Sequence, residues 1–206
     1  MRDLIINGYC QLRSGKLILN DNIIMDSKGS FNEIIEKMVK NHGIVHPRFG
    51  KMDRLSQLGY SCTEILLQLT GKYNDYQPWE VSLLFANASS SLDTDFRFQK
   101  SVQSIASPSL FVYTLPNILL AEICIKNGFK GENSFLISDV PDADLYLAYI
   151  TQLFANQQTK ICIAGWAEIL GEQYNCSVFV VEERNDNNNN KTKNAFNNVN
   201  VTKVLS

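Results

Sequence analysis

Short apolar runs alternate with helix-like segments along most of this sequence, and this alternation limits the fold more than any other feature. The runs predict buried strands, and apolar residues at helical spacing over about ten to fifteen residues predict helices between them. Strands joined by helical crossovers favour parallel pairing with helices on both faces. The pattern therefore predicts an α/β fold with a mixed, mainly parallel sheet, with strands at 3–9, 81–86, 134–138, 160–164 and 176–182 and helices at 31–39, 52–69, 117–127 and 140–156.

The composition changes abruptly after Arg184, where an asparagine-rich stretch begins. We assign residues 1–184 to one domain and predict that residues 185–206 form a disordered tail, because the tail lacks periodicity and apolar content. A short strand or partner-binding peptide at 201–205 is the alternative for the end of this tail.

Charge and composition exclude several classes of protein. The net charge is −2, from 19 basic and 21 acidic residues, which argues against a nucleic-acid partner. No apolar run approaches the roughly 18 residues of a membrane span, and the first residues do not form a signal peptide, so we expect a cytoplasmic protein without a membrane span. The five cysteines lie in apolar runs and predict reduced core thiols. With two histidines and no zinc motif, we expect no metal and no cofactor.

Polar side chains are concentrated where the strand at 134–138 meets the next helix. Ser138 or Asp139 is a suitable N-cap, Pro141 suits the first turn, and Asp142 and Asp144 complement the helix dipole. Capping explains each of these residues, and we favour it over a metal site or a serine nucleophile.

A proline-bracketed aromatic segment at 107–116 leads into the helix at 117–127, with Asn117 placed as a cap. A core loop followed by a buried helix is the favoured interpretation of this pattern. A binding site is the alternative.

Several of these segments together resemble a known family. The sequence is similar, over about residues 1–182, to the N-terminal half of the β-ketoacyl-acyl carrier protein synthases, which have the thiolase fold. The segments that carry the resemblance, in chain order, are Ile5-Ile-Asn-Gly8, 48–58 (RFGKMDRLSQL), 91–95 (SLDTD), 108–117 (PSLFVYTLPN), 128–131 (GFKG) and 161–165 (ICIAG).

The resemblance implies that the catalytic nucleophile is missing. The position of the family's catalytic cysteine, nine residues after Gly131 and twenty-five before Gly165, is occupied by Val140. Valine cannot form a thioester, and the family's catalytic histidines belong to its C-terminal half, so His42 and His46 are not their counterparts. We therefore expect no catalytic residue and no catalysis by this chain alone.

The resemblance also implies a partner. A complete condensing enzyme has about twice this length, in two similar halves that share a central helical layer. The helix at 140–156 would lie in that layer, and we expect Tyr146, Ile150 and Phe154 to contact either a second copy of this chain or a full-length ketosynthase. An acyl carrier protein is a further candidate partner.

The leading hypothesis is a non-catalytic ketosynthase-like subunit of type II fatty-acid or polyketide biosynthesis, as in aryl polyene or flexirubin-type pathways. It would stabilise a catalytic ketosynthase or shape its acyl tunnel, with Phe111, Thr114, Asn117 and Ile118 at the acyl pocket or interface. The alternatives are an acyltransferase or condensing activity that uses Cys124 or Cys162, a homodimeric acyl-binding protein, and a gene remnant.

Overall fold

A computed structural model describes residues 2–184 and 195–206, and it shows one seven-stranded sheet with helices on both faces. The strands are β1 (Leu4–Arg13), β2 (Lys16–Leu19), β3 (Asn22–Asp26), β4 (Val81–Asn87), β5 (Asn133–Ile137), β6 (Ile161–Leu170) and β7 (Gln173–Glu183). The helices are α1 (Phe31–His42), α2 (Arg54–Thr70), α3 (Leu92–Val102), α4 (Pro108–Val112), α5 (Ile118–Asn127), α6 (Ala143–Ala155) and α7 (Asn198–Leu205).

The strand order is β3-β2-β1-β7-β6-β4-β5, and the sheet is mixed. The α/β class, the mixed sheet and the helices on both faces are confirmed. Parallel pairing is limited to β4 with its neighbours β5 and β6, whereas the other four strand pairs are antiparallel, so the sheet is less parallel than the pattern predicted. The reason is that β6 connects directly to β7 through a tight turn, and tight turns join antiparallel strands.

One face of the sheet is covered by α1, α2 and α5, which share the larger apolar cluster with the sheet. Helix α1 begins with a capping box formed by Ser30 and Glu33, and Asp53 caps the start of α2. Helix α5 crosses α2 closely at Gly59, where an added Cβ would lie 2.6 Å from the side chain of Leu119. The absence of a side chain at Gly59 thus sets the distance between these helices.

The other face is covered by α6 and α7, which form a second apolar cluster with β1, β4, β6 and β7. Tyr146, Ile150 and Phe154 of α6 lie in this cluster, and none is more than 1% exposed. The expectation that these three side chains contact a partner is therefore wrong for this structure, because the chain itself covers them.

The prediction of disorder at 185–206 is also wrong over 195–206; its remainder, 185–194, lies outside the described residues. Ala195 pairs with Ile5, and α7 packs through Val201, Val204 and Leu205, all buried. Two side chains of β1 bind the end of the helix. Gln11 donates to the carbonyl of Val204 at 2.5 Å, and Arg13 donates to that of Leu205 at 2.7 Å.

The sequence patterns did not predict β2, β3, α3 or α4. Strands β1, β2 and β3 form two successive hairpins, and each turn contains two consecutive positive-φ residues: Ser14 and Gly15 in the first, Asn20 and Asp21 in the second. Of the helices in the described ranges, none is long and apolar enough to span a membrane.

The docking of α7 predicts unequal effects of two substitutions on the same helix. Val201→Asp places a charge in the apolar cluster and should lower the free energy of unfolding by at least about 3 kcal/mol. Val199 is 75% exposed, so Val199→Asp should change it by less than about 0.5 kcal/mol. Urea unfolding followed by circular dichroism measures both; equal effects would contradict the docking of α7.

Candidate functional site

The parallel strands β4 and β5 end side by side, and the loops that follow them define the candidate site. Asn87 and Ile137 are paired in register at the ends of the two strands. The amide of Ser138 donates to the carbonyl of Asn87 at 3.0 Å. The Asn87 side chain exchanges two hydrogen bonds with the backbone of Ser90, each 2.9 Å long. In α/β sheets, ligands bind at the carboxyl ends of parallel strands.

Val140 lies in the loop after β5, and its side chain is 62% exposed. The hydroxyl of Ser138 donates to the carbonyl of Val140 at 2.9 Å. Helix α6 begins only at Ala143, so Val140 precedes the first turn of the helix. An apolar, exposed side chain therefore occupies the position that the resemblance assigns to the nucleophile.

The acidic residues of this loop act as helix-capping groups. Asp142, rather than Ser138 or Asp139, is the N-cap, and its carboxylate accepts from the amide of Asp144 at 2.9 Å. The carboxylate of Asp144 accepts from Asn198 of α7 at 2.7 Å. Within 2–184 and 195–206, no group of three or more histidine, cysteine or acidic residues is arranged to hold a metal ion.

The backbone amides after β4 are already occupied. A carboxylate oxygen of Glu168 accepts from the amide of Ala88 at 2.7 Å and from that of Ser89 at 3.2 Å. Paired amides of this kind could stabilise an oxyanion, but here the carboxylate of β6 fills the position. This arrangement holds the loop to the sheet and leaves these amides unavailable to a substrate.

The segment 91–95, one of those that carry the resemblance, joins several elements of the fold. Thr94 donates to Asp53 at 2.6 Å, and Asp53 also accepts from the amide of Ser56 at the start of α2. Burial raises the pKa of Asp53. Asp93 accepts from the amide of Gly171 in the β6–β7 turn at 2.9 Å. These contacts hold the segment to the start of α2 and to the β6–β7 turn.

The residues expected at the acyl pocket or interface lie on or next to α4. Phe111 is 62% exposed and packs against Phe98 of α3, with 5.5 Å between ring centroids. The carbonyl of Thr114 accepts from the hydroxyl of Ser91 at 2.8 Å, which brings this segment to the loop after β4. Asn117 is exposed at the N-cap of α5 without a side-chain capping bond, and Ile118 is half-buried against the larger apolar cluster.

Phe111 belongs to a group of exposed apolar side chains in this part of the chain, whose exposure the sequence analysis did not predict. We call them the apolar platform, and its members, each 49–85% exposed, are Val102, Ile105, Phe111, Val112 and Leu115. A run of aromatic and aliphatic residues normally indicates core, so the pattern favoured a buried loop. The clue in the sequence is the pair of prolines at 108 and 116, which prevents a long helix with one buried face.

Sequence reasoning also missed the role of Glu122, which is 2% exposed and is the one acidic residue of helix α5. Its carboxylate accepts from Arg48 at 2.9 Å and from the hydroxyl of Tyr113 at 2.8 Å. His46 Nε2 lies 3.4 Å from the same carboxylate, and burial lowers the pKa of His46. His46 is thus part of this buried cluster and does not face Val140 as a catalytic base. A lone acidic residue in an apolar helix is the signal that could have revealed the cluster.

The cysteine candidates are poorly suited to nucleophilic catalysis. Cys162 is fully buried, and burial raises its pKa strongly. Burial also raises the pKa of Cys124, the only cysteine with partial exposure, to about 11. All five cysteines are free, as predicted, and the thiolate of each candidate is disfavoured where the family's nucleophile needs it favoured.

No model of a protein family and no curated protein matches the chain. Solved structures do. The chain is similar to a structure described as the ishigamide ketosynthase/chain length factor, with a TM-score of 0.66 and 15% identity, over 90% of this chain and 63% of that one. A ketosynthase (ApeO) in complex with its chain length factor (ApeC) from Xenorhabdus doucetiae matches with a TM-score of 0.60 and 10% identity, over 89% of this chain and 80% of that one.

A β-ketoacyl synthase from Burkholderia phymatum is also similar, with a TM-score of 0.60 and 12% identity, over 94% of this chain and 62% of that one. The chain thus spans less than two thirds of the ishigamide and Burkholderia chains. The TM-scores establish a common fold, and identities this low establish nothing beyond the fold. The chain has the thiolase-like fold of the ketosynthases, as the sequence resemblance implied.

Proposed function

We propose that this protein is a non-catalytic ketosynthase-like subunit that binds a full-length ketosynthase of type II fatty-acid or polyketide biosynthesis, such as an aryl polyene or flexirubin-type pathway. Its role is to stabilise that enzyme or to shape its acyl pocket. The apolar platform carries the proposal, because a concentration of exposed apolar side chains in one part of the chain is typical of sites of protein or ligand contact.

The chemistry of the candidate site supports a non-catalytic role. Val140 offers no nucleophile, the amides of Ala88 and Ser89 are bound by Glu168, and His46 is buried with Glu122. The described residues therefore lack the nucleophile, base and free oxyanion donors that acyl transfer by this site requires.

The choice of a ketosynthase as partner rests on two observations. The structural neighbours include a ketosynthase in complex with its chain length factor, so this fold forms such pairs. The apolar face of α6 is covered by the chain itself, so we assign the pairing to the apolar platform. Phe111 and Thr114 lie in or beside this surface, with Asn117 and Ile118 at its border with α5. An acyl carrier protein would contact the resulting pair.

A charge in the platform should prevent partner binding without unfolding the chain. Leu115→Asp should weaken binding to a full-length type II ketosynthase of the same organism by about 30-fold or more, the loss expected at the centre of an interface. Ile23 of the edge strand β3 is equally exposed, at 58% against 57%, so Ile23→Asp is the matched control and should bind normally. Co-expression, co-purification and titration of the purified pair measure the effect.

Two results would overturn the proposal. The first is failure of the wild-type chain to co-purify with that ketosynthase, together with unchanged product length when the gene is deleted. The second is a stable homodimer with bound lipid, which would favour the acyl-binding alternative.

The absence of covalent catalysis gives a separate prediction. An electrophilic acyl-thioester mimic at pH 8 should leave the wild-type protein unmodified, because a thiol with a pKa of about 11 is ionised to only about one part in a thousand. Val140→Cys places a thiol at an exposed position and should be labelled readily. Peptide mapping by mass spectrometry locates any adduct. Rapid modification of Cys124 or Cys162 would support an enzymatic function instead.

A further inference from the structure

The segment that carries most of the platform places a single side chain in the core. Of residues 103–117, all of which the structure describes, Tyr113 alone is buried. The helix within the segment, α4, has five residues, and a helix this short is not stable without tertiary contacts. The position of the segment therefore depends on what holds Tyr113.

Tyr113 is held by the buried carboxylate of Glu122. Its hydroxyl donates to Oε1 of Glu122 at 2.8 Å, while Oε2 accepts from Arg48 at 2.9 Å. Burial is the largest of the effects that raise the pKa of Tyr113, so its hydroxyl remains protonated and remains a donor. A buried carboxylate with both oxygens bound is stabilised, whereas a buried carboxylate that loses a partner is costly.

His46 completes the surroundings of Glu122. Its Nδ1 accepts from the amide of Arg48 at 3.1 Å, which leaves the proton of the neutral ring on Nε2, facing Glu122. The ring also packs edge-on against Tyr60, with centroids 5.0 Å apart. The loop before α2 and helix α5 thus converge on one carboxylate.

We infer that Glu122 positions the apolar platform for its partner through Tyr113. Phe111 and Leu115 lie two residues before and two residues after Tyr113, so a displacement of the tyrosine moves both side chains. The hydrogen bond from Ser91 to the carbonyl of Thr114 restrains the same turn from the side of the loop after β4. This inference rests on the proposed function, and it makes Glu122 a positioning residue.

Tyr113→Phe removes the hydroxyl alone and is the main test. In the free chain, the amides of residues 110–115 should exchange about tenfold faster with deuterium, and affinity for the ketosynthase should fall about tenfold, the effect of losing one hydrogen bond to a buried charged group. Glu122→Gln keeps an acceptor for Tyr113 but loses the charge opposite Arg48, and it should give smaller changes in both measurements.

Tyr146→Phe is the matched control. Tyr146 is also buried, and its hydroxyl donates to the carbonyl of Gly165 at 2.7 Å on the other face of the sheet. This variant should lower the free energy of unfolding without faster exchange at 110–115 and without weaker binding.

The two measurements separate the possible failures. Unchanged exchange in Tyr113→Phe, or faster exchange with normal binding, overturns the inference. Equal loss of binding in Tyr146→Phe also overturns it, because the effect would then follow overall stability. If the wild-type chain fails to bind, the proposed function is wrong and the positioning role falls with it, whereas faster exchange in Tyr113→Phe would still show that Tyr113 holds the segment.

Discussion

The parallel pairing of β4 with β5 and β6 determines how the loops of the candidate site are arranged. All seven residues of β4 are buried, so the strand has apolar contacts on both faces and backbone partners on both sides. Because β4 and β5 run in the same direction, their following loops start side by side, and the amide of Ser138 donates to the carbonyl of Asn87. The loop after β4 in turn holds the segment of α4 through Ser91 and Thr114.

The sequence predicted the elements whose burial is uniform. The continuous apolar run of β4 and the helical spacing of α2 correspond closely to the observed elements. The hairpin of β2 and β3 escaped prediction because its strands are short, partly exposed and turned by positive-φ residues that no periodicity reveals. Helix α7 was not predicted because it follows an asparagine-rich stretch of sequence. Burial of three apolar side chains is enough to dock this helix.

The candidate site was also predicted only in part, but the reason is different. The resemblance to the ketosynthases supplied the position of Val140, but the exposure of Phe111 and the burial of Glu122 depend on contacts between segments far apart in sequence. Arg48 and Glu122 are 74 residues apart, and no local pattern links them. The error over Tyr146, Ile150 and Phe154 has the same origin, because the cluster that buries them combines strands of the sheet with α7 at the far end of the chain.

Helix α7 acts as an intramolecular ligand for the apolar face of α6. Its tether gives it a fixed local concentration near α6, which does not change when the protein is diluted. An apolar face covered in this way stays covered before any other molecule arrives, so folding and association become separate events. The exposure of this face of α6 therefore does not depend on how much of this protein, or of any other protein, a cell makes.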